Sequence, residues 1–516
     1  MQAQPPTPRS LQRRAVQGSL VSAISFVLNM GLNLAQVTLL LRFWRQDQYG
    51  SWLTVTAAAG LLTALDGGHQ AFVGNLLARE WVEDRAKLLV TLGSAIRTSL
   101  CTAGIQILVT LVLCLSGGIY RVLSVDPATS PGLGGAIAVY VTGWISLGSV
   151  SSVLVRLYSP AGNFARSLIW NMVMRVTQFF GVLLPAWLGW SLIGTTLFFI
   201  SLVTLLTAMV MWDVWRLFPE VRPWLGRGDF RTGFRNLRSS TVLSATNVLD
   251  SFAQQGAVLV ISGGLGAAFV PLFTTLRTLA NTAMQGSSFL IQPIIPDLVR
   301  YWVNREPAKL TATFQFFWLV TGLLVNGGLI VGLGFVEPVY RFWTRGKLAF
   351  DGPLFGWLVA AVLVRTLGAP LWTLVGTLNR LQAQLAISVA RGVVCLGGAL
   401  LLLAPFGLAG VGAAVAVGEL AASVLLPAWF VAREYRTMGA HWPVAAFAWS
   451  AGSTVVATVA LVIFSKGATA WLVWMIGAGL PVLGIAVKQW WDLPLDVKDR
   501  VASLLAGWRR QGAAAS

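Results

Sequence analysis

Eight ionisable side chains lie within long apolar stretches of this 516-residue sequence, and five of them are arginines. The eight are Asp66, Arg97, Arg175, Asp250, Arg277, Arg365, Arg391 and Glu419. A charged group at membrane depth is costly and usually faces a water-filled cavity or an oppositely charged partner. Because a guanidinium group can bind a phosphate through two parallel hydrogen bonds, a cavity with several arginines favours a multiply anionic ligand such as a pyrophosphate.

The position of each arginine within its apolar stretch separates their expected roles. Arg97 lies near the end of its stretch, where its side chain is expected to reach the membrane interface. Arg277 and Arg365 lie deeper and are expected to reach a central cavity. For Arg175 and Arg391 both a cavity-facing position and an ion pair remain open. We predict that Arg277, Arg175, Arg391 and Arg365 form a cationic substrate site.

Two of the acidic residues are candidates for ion coupling. Asp250 lies among amide side chains in TNVLDSFAQQG, so it could couple transport to a proton or sodium gradient. The alternative is an ion pair with Arg277 on the following helix. Glu419, in VAVGELAAS, has the same two interpretations, with the structural one favoured.

Asp66, Gly67 and Gly68 interrupt the second apolar stretch in LDGGHQAFVGN, and we predict a helix break or gate there. His69 and His441 are the two histidines of the chain, so no cluster of metal ligands is expected. We predict neither a metal site nor an organic cofactor, with H+ or Na+ as possible coupling ion.

The elements that would position these residues are transmembrane helices. The chain is 56% hydrophobic and 11% charged, with a mean hydropathy of +0.72, which excludes a soluble protein of this length. A helix needs about 20 apolar residues to cross a bilayer. We therefore predict an all-α polytopic membrane protein with about fourteen helices, near 15–41, 49–77, 88–115, 132–155, 167–187, 191–215, 239–262, 266–296, 310–336, 353–378, 381–403, 407–430, 442–464 and 468–487.

The formal net charge of +18 reflects topology. Lys and Arg are concentrated in alternate connections, as expected for cytoplasmic loops, so an even number of helices with both termini cytoplasmic is predicted. The same charge would suggest nucleic acid as the partner of a soluble protein; here we expect anionic membrane lipid and no nucleic acid.

The longest basic connection suggests a division into two bundles. We predict an N-terminal bundle at 1–215, a basic cytoplasmic linker at 216–238 and a C-terminal bundle at 239–436. Two extra helices follow at 437–487 and a basic amphipathic tail at 488–516. A weak internal repeat, which aligns Arg175 with Arg391, supports two six-helix bundles.

Catalysis is not expected. The longest predicted outside connections, near 116–131 and 337–352, contain no histidine, and no phosphate-binding glycine loop or nucleophile elbow is present. A membrane polysaccharide polymerase or ligase is therefore a distant alternative.

Three segments resemble the polysaccharide repeat-unit (Wzx-type) flippases of the multidrug/oligosaccharidyl-lipid/polysaccharide exporter superfamily. They are DQYGSWLTVTAAAGLLTALDGG (47–68), GLGAAFVPLFTTLRTLANTAMQGSSFLIQPIIPDLVR (264–300) and FGLAGVGAA (406–414). The resemblance implies alternating access around a cationic cavity, with Arg277, Arg175 and Arg391 handling the headgroup. The implied substrate is an undecaprenyl-pyrophosphate-linked oligosaccharide in the bacterial inner membrane, with a polysaccharide polymerase or export complex as a possible partner.

The alternative within the same superfamily is a cation-coupled multidrug exporter. Dominance of Asp250 and Glu419 over the arginines in the cavity would favour it, whereas the surplus of arginine argues against cationic drugs as substrates.

Overall fold

The computed structural model describes residues 8–291, 295–378, 380–465, 471–495 and 497–499. Within these ranges the regular structure is entirely helical. The described part of the predicted tail ends at residue 499, so most of that amphipathic segment lies outside it.

Helices of the first half of the chain are α1 (Pro8–Phe43), α2 (Gln46–Glu83), α3 (Arg85–Leu115), α4 (Gly118–Leu123), α5 (Leu133–Leu154), α6 (Phe164–Trp187), α7 (Leu192–Leu217), α8 (Phe230–Ser239) and α9 (Thr241–Gly264). Those of the second half are α10 (Val270–Ile291), α11 (Ile295–Val303), α12 (Pro307–Thr321), α13 (Gly328–Trp343), α14 (Gly352–Thr377), α15 (Leu381–Glu419), α16 (Leu426–Thr437), α17 (Val444–Ser465) and α18 (Trp471–Asp492).

Each of the fourteen predicted transmembrane ranges overlaps a helix, so the all-α polytopic fold is confirmed. Ten described helical segments are long and apolar enough to cross a membrane. One of them, Leu381–Thr437, contains a residue of positive φ, Gly407 (φ +58°), at which α15 bends into two arms. The helices α2, α9 and α10 fall outside the ten and account for the remaining predicted spans.

The chain forms two compact units. Unit 1 comprises residues 1–272 and 341–349, and unit 2 comprises residues 273–340 and 350–516. Helix α9, predicted to open the second bundle, lies in unit 1, where it packs along α2. The bundle ranges derived from the sequence remain a prediction.

In unit 1 small residues let the backbones of neighbouring helices approach closely. A Cβ atom on Gly50 of α2 would lie 1.7 Å from the carbonyl oxygen of Ala267, and one on Gly68 would lie 2.2 Å from the backbone nitrogen of Ser244 on α9. Close packing of this kind is the main source of helix association in lipid.

The predicted helix break at Asp66, Gly67 and Gly68 is wrong, and the alternative, a gate at these residues, remains a prediction. Helix α2 continues through these residues from Gln46 to Glu83. Gly68 permits close contact between helices, because it lies directly against the α9 backbone and leaves no room for a side chain.

Unit 2 is built around α14, the most buried of the ten candidate spans. The indole nitrogen of Trp318 on α12 donates a hydrogen bond to the carbonyl oxygen of Leu367 on α14 at 3.0 Å. The added helices α17 and α18 are attached by buried polar contacts: Asn326 donates to Ser453 at 2.8 Å and Gln489 donates to Ser450 at 2.6 Å. Such bonds between helices stabilise association where water is absent.

The predicted basic linker 216–238 is not an unstructured connection. It contains α8, which begins after Asp229, whose carboxylate accepts hydrogen bonds from the backbone N–H groups of Arg231 and Thr232. Asp is among the preferred residues at a helix N-cap because its side chain satisfies these otherwise unpaired donors.

Candidate functional site

A polar cavity of about 170 Å³ lies within unit 1. Its lining comes from five helices: Asn29, Leu32, Asn33 and Gln36 on α1; Trp52 and Thr56 on α2; Tyr140 on α5; Arg175, Gln178, Phe179 and Val182 on α6; and Phe199 on α7. Ligand pockets usually occupy about 300–1,000 Å³, so this cavity fits one chemical group of a larger ligand rather than a whole drug-sized molecule.

Helical periodicity brings the polar lining onto common faces. Asn29, Asn33 and Gln36 follow one another at spacings of four and three residues, which places their amide groups on one side of α1. Arg175 and Gln178 have the same relation on α6. Helices α1 and α6 therefore contribute a row of neutral donors and acceptors and one positive charge to the lining.

Arg175 is the charged residue of the cavity lining, and its side chain is exposed. Within the described ranges, no carboxylate lies within ion-pair distance of its guanidinium group. A guanidinium group offers five N–H donors in a planar fork and stays protonated, so Arg175 can bind a phosphate oxygen pair directly.

Aromatic rings form the other part of the wall. The ring centroids of Trp52 and Phe199 are 5.4 Å apart, those of Tyr140 and Phe199 are also 5.4 Å apart, and the latter two planes are nearly parallel at 23°. Trp52 and Tyr140 lie 6.2 Å apart. Because Trp52 and Phe199 are buried and pack against Tyr140, this part of the wall is apolar and rigid.

The predicted cationic residues are divided between the two units. Arg175 lies in unit 1, whereas Arg277, Arg365 and Arg391 lie in unit 2. Arg277 on α10 is half-buried, with its guanidinium carbon 5.3 Å from the centre of the Phe273 ring. Arg365 extends from the buried helix α14 and is exposed.

Arg391 is held in an ion pair. Its Nε lies 3.4 Å from Oε1 of Glu419, and both side chains are about nine-tenths buried. Arg391 Nη2 also donates to Ser423 Oγ at 3.2 Å, and the Ser423 hydroxyl donates to Glu419. Of the two roles left open for Arg391 by the sequence, this geometry corresponds to the ion pair.

The acidic candidates have different surroundings. Asp66 is buried and accepts a hydrogen bond from the hydroxyl of Thr102 on α3 at 2.8 Å. Asp250 is half-buried on α9 in unit 1. Ion coupling by Asp250 or Glu419 remains a prediction. Among the described residues no group of three His, Cys, Asp or Glu side chains is arranged to hold a metal ion.

The sequence named Arg175 as a candidate site residue, but the residues that surround it in the cavity were not predicted. The amides of α1 are neutral and therefore escape a criterion based on charge at membrane depth, although their spacing within an apolar helix was a readable signal. The contributions of Trp52, Tyr140 and Phe199 come from packing between helices distant in sequence, which no local pattern reveals.

No family model matches the chain, and no curated protein sequence matches it. Solved structures do. The lipid II flippase MurJ in an inward closed conformation has 14% sequence identity and a TM-score of 0.61, with 93% of this chain and 99% of that chain covered. An inward-facing multidrug resistance MATE transporter of the MOP superfamily has 13% identity and a TM-score of 0.57, covering 80% and 99%.

A mutant form of the Vibrio cholerae MATE transporter VcmN has 14% identity and a TM-score of 0.57, covering 83% and 97% of the two chains. Identities this low establish the fold and leave substrate open. The chain is a multi-pass membrane protein with the fold of these transporters.

Proposed function

We propose that this protein is a flippase that moves an undecaprenyl-pyrophosphate-linked oligosaccharide across the bacterial inner membrane by alternating access. The oligosaccharide would be a repeat unit of a polysaccharide, O-antigen or exopolysaccharide. The observation that carries the proposal is the cavity of unit 1, in which an arginine, a row of amides and an aromatic wall meet.

The charge of the cavity selects the ligand class. Arg175 has no carboxylate partner in the described structure, and the other polar lining residues are neutral. A cationic compound would therefore be repelled, while an anionic group would gain a charge-assisted hydrogen bond that is stronger in a water-poor site. A pyrophosphate satisfies this requirement.

The amides and aromatic rings suit a sugar. Asn33, Gln36 and Gln178 can donate to and accept from hydroxyl groups, and the rings of Trp52, Tyr140 and Phe199 form the apolar part of the lining. A lipid-linked oligosaccharide carries both a pyrophosphate and sugars, so one ligand uses all three kinds of lining.

The transporter fold fits this assignment without deciding it. One structural neighbour is named as a lipid II flippase, whereas others are named as multidrug transporters. The exporter alternative requires acidic residues available for cation coupling. Glu419 is paired with Arg391, which weakens that alternative for Glu419, whereas Asp250 remains a candidate for coupling.

The test is transport by the purified protein in liposomes. One set of vesicles contains a fluorescent undecaprenyl-pyrophosphate oligosaccharide, whose exposure is read with a membrane-impermeant glycan-modifying reagent. A parallel set contains a lipophilic cationic dye. Each set is measured with and without a proton or sodium gradient.

We expect translocation of the oligosaccharide lipid and no gradient-driven efflux of the dye. A neutral lipid of the same chain length serves as a control for scrambling, and protein-free vesicles set the background rate. Gradient-driven dye efflux without oligosaccharide translocation would replace the flippase with the exporter.

A further inference from the structure

Helix α8 presents a defined outward face because its inner face is fixed on α3. A Cβ atom on Gly233 would lie 2.0 Å from the Thr98 hydroxyl oxygen, so the two helices are in close contact there. The backbone N–H of Asp229 donates to Ser94 Oγ at 2.9 Å, and Asn236 is also buried. All of these residues belong to unit 1.

Two ordered rows of side chains lie on the rest of α8. Phe230, Phe234 and Leu237 follow helical spacing on one stripe, and the two phenylalanines are 47% and 54% exposed. Arg231, Arg235 and Arg238 repeat the same spacing one residue later and form the adjacent stripe. Around α8, the face that contacts α3 is therefore followed by the apolar stripe and then by the basic stripe.

Neighbouring residues of unit 1 indicate the level of the membrane surface. At the end of α7, Trp212 and Trp215 are 61% and 40% exposed, and tryptophan is enriched where the hydrocarbon meets the headgroups. The guanidinium groups of Arg216 and Arg222 lie 5.6 and 4.7 Å from the centres of these two rings. Helix α8 follows this aromatic and basic cluster after a short connection.

The net positive charge of residues 222–240 indicates which kind of surface α8 would bind. Residues 222–240 contain five arginines and one acid, Asp229. The carboxylate of Asp229 accepts hydrogen bonds at the start of the helix, and within the described ranges no carboxylate forms an ion pair with Arg231, Arg235 or Arg238. An apolar stripe beside a basic stripe matches hydrocarbon beside anionic headgroups.

We propose that α8 is a binding site for anionic phospholipid, with Phe230 and Phe234 inserted at the hydrocarbon edge and Arg231, Arg235 and Arg238 on the lipid phosphates. The inference concerns the bulk lipid of the leaflet that α8 meets and does not depend on the identity of the transported substrate. Since such attraction is electrostatic, added salt weakens it.

Native mass spectrometry of the full chain released from detergent tests this site directly. The probes are phosphatidylglycerol and phosphatidylcholine, titrated separately, and the readout is the fraction of protein that retains lipid. Replacement of all three arginines (Arg231→Gln, Arg235→Gln, Arg238→Gln) should lower the apparent affinity for phosphatidylglycerol by about tenfold or more and leave phosphatidylcholine unchanged.

A matched control removes the same charge elsewhere. Arg305→Gln, Arg433→Gln and Arg436→Gln alter three exposed arginines of unit 2. The corresponding lysine triple variant of α8 keeps the charge and should keep most of the binding, which separates loss of charge from loss of folding.

Equal loss in the unit 2 control would show a general effect of net charge and overturn the proposal. Unchanged phosphatidylglycerol binding in the α8 glutamine variant would also overturn it. So would loss of undecaprenyl-pyrophosphate oligosaccharide binding with phosphatidylglycerol binding intact, because α8 would then recognise the substrate. Because this experiment measures lipid binding and not transport, its result does not affect the flippase proposal.

Discussion

Arg391 and Glu419 face each other across a bend within one helix, α15, with 3.4 Å between Nε and Oε1. The bend at Gly407, where φ is +58°, folds the second arm back so that residues 28 positions apart in sequence meet. Since both side chains are largely buried, the pair compensates two charges that would otherwise be costly at membrane depth. We interpret Arg391 as a structural residue rather than as a headgroup ligand.

Removal of Arg391 alone should destabilise the protein. The variant Arg391→Met leaves the Glu419 carboxylate buried without its cation, and the loss of an ion-pair partner in a buried site is expected to cost about 3–5 kcal/mol. The double variant Arg391→Met/Glu419→Gln should recover most of this stability. Thermal unfolding of the purified protein in detergent measures both.

Arg365→Met is the matched control for that comparison. Arg365 is exposed on α14, and no hydrogen bond or ion pair of its side chain occurs within the described ranges. The unfolding temperature of the Arg365→Met variant should therefore be close to that of the wild type. If Arg391→Met left stability unchanged but weakened binding of the pyrophosphate lipid, Arg391 would be a substrate-binding residue and not a structural one.

The adjacent glycines of α2 should respond differently to the same substitution. A methyl group at Gly68 would lie 2.2 Å from the backbone of Ser244, whereas at Gly67 the nearest neighbour is the Asn247 side chain at 3.3 Å. We expect Gly68→Ala to destabilise the protein by about 1–3 kcal/mol and Gly67→Ala to be tolerated. Similar unfolding temperatures for the two variants would contradict the tight contact of α2 with α9.

A buried carboxylate joins α6, α7 and the turn that follows α5 in unit 1. Asp213 on α7 accepts hydrogen bonds from the Tyr158 hydroxyl at 2.6 Å, from Arg166 Nε at 2.7 Å and from Trp170 Nε1 at 3.0 Å. Because Tyr158 is fully buried, Asp213→Ala strands its hydroxyl and should lower stability by about 1–3 kcal/mol.

A double-mutant cycle checks this network. Tyr158→Phe removes the hydroxyl that Asp213→Ala leaves unpaired, so the two substitutions should be less than additive in thermal unfolding. Strict additivity would show that the bond between Tyr158 and Asp213 contributes nothing to stability.

Acid should loosen the start of α8. Hydrogen bonds from the backbone of Thr232 and Arg231 hold the pKa of Asp229 below its ordinary value of 3.8. A depressed pKa stabilises the folded helix at pH values above the ordinary value, and this contribution is lost as the pH falls through the lower folded value. At neutral pH the cap is therefore fully formed.

Hydrogen exchange at the amides of Arg231 and Thr232 measures the cap. Protection should fall in Asp229→Ala at neutral pH and in the wild type under acid, after correction for the intrinsic pH dependence of exchange. Asp229→Asn keeps an acceptor and should retain most protection at both pH values. Unchanged exchange in Asp229→Ala would exclude the cap as a determinant of α8.

The helices were predictable because hydropathy and length constrain a chain in lipid more strongly than one in water. The fourteen ranges required no knowledge of packing. The same criteria did not predict helix α8. Its phenylalanines and arginines repeat at helical spacing, but they lie within a basic connection that is too short and too polar to cross a membrane. Asp229 before that period was the missed signal.

The site was only partly predictable. Charge at membrane depth made both Arg175 and Arg391 candidates. The two differ because the carboxylate of Glu419 lies next to Arg391, and this contact depends on the bend at Gly407, which the sequence did not predict. The predicted break at Gly67 and Gly68 failed because glycine in a membrane helix more often permits close packing than interruption.

The proposed substrate cavity of unit 1 is tested most directly through Arg175. Binding and translocation of a fluorescent undecaprenyl-pyrophosphate oligosaccharide should be compared in liposomes for wild type, Arg175→Ala and Arg175→Lys, with Arg121→Ala at an exposed position of α4 as the control. We expect a loss of about tenfold or more in Arg175→Ala, partial recovery in Arg175→Lys and no change in Arg121→Ala. Wild-type binding and translocation by a folded Arg175→Ala protein would contradict the assignment of this cavity to the anionic headgroup.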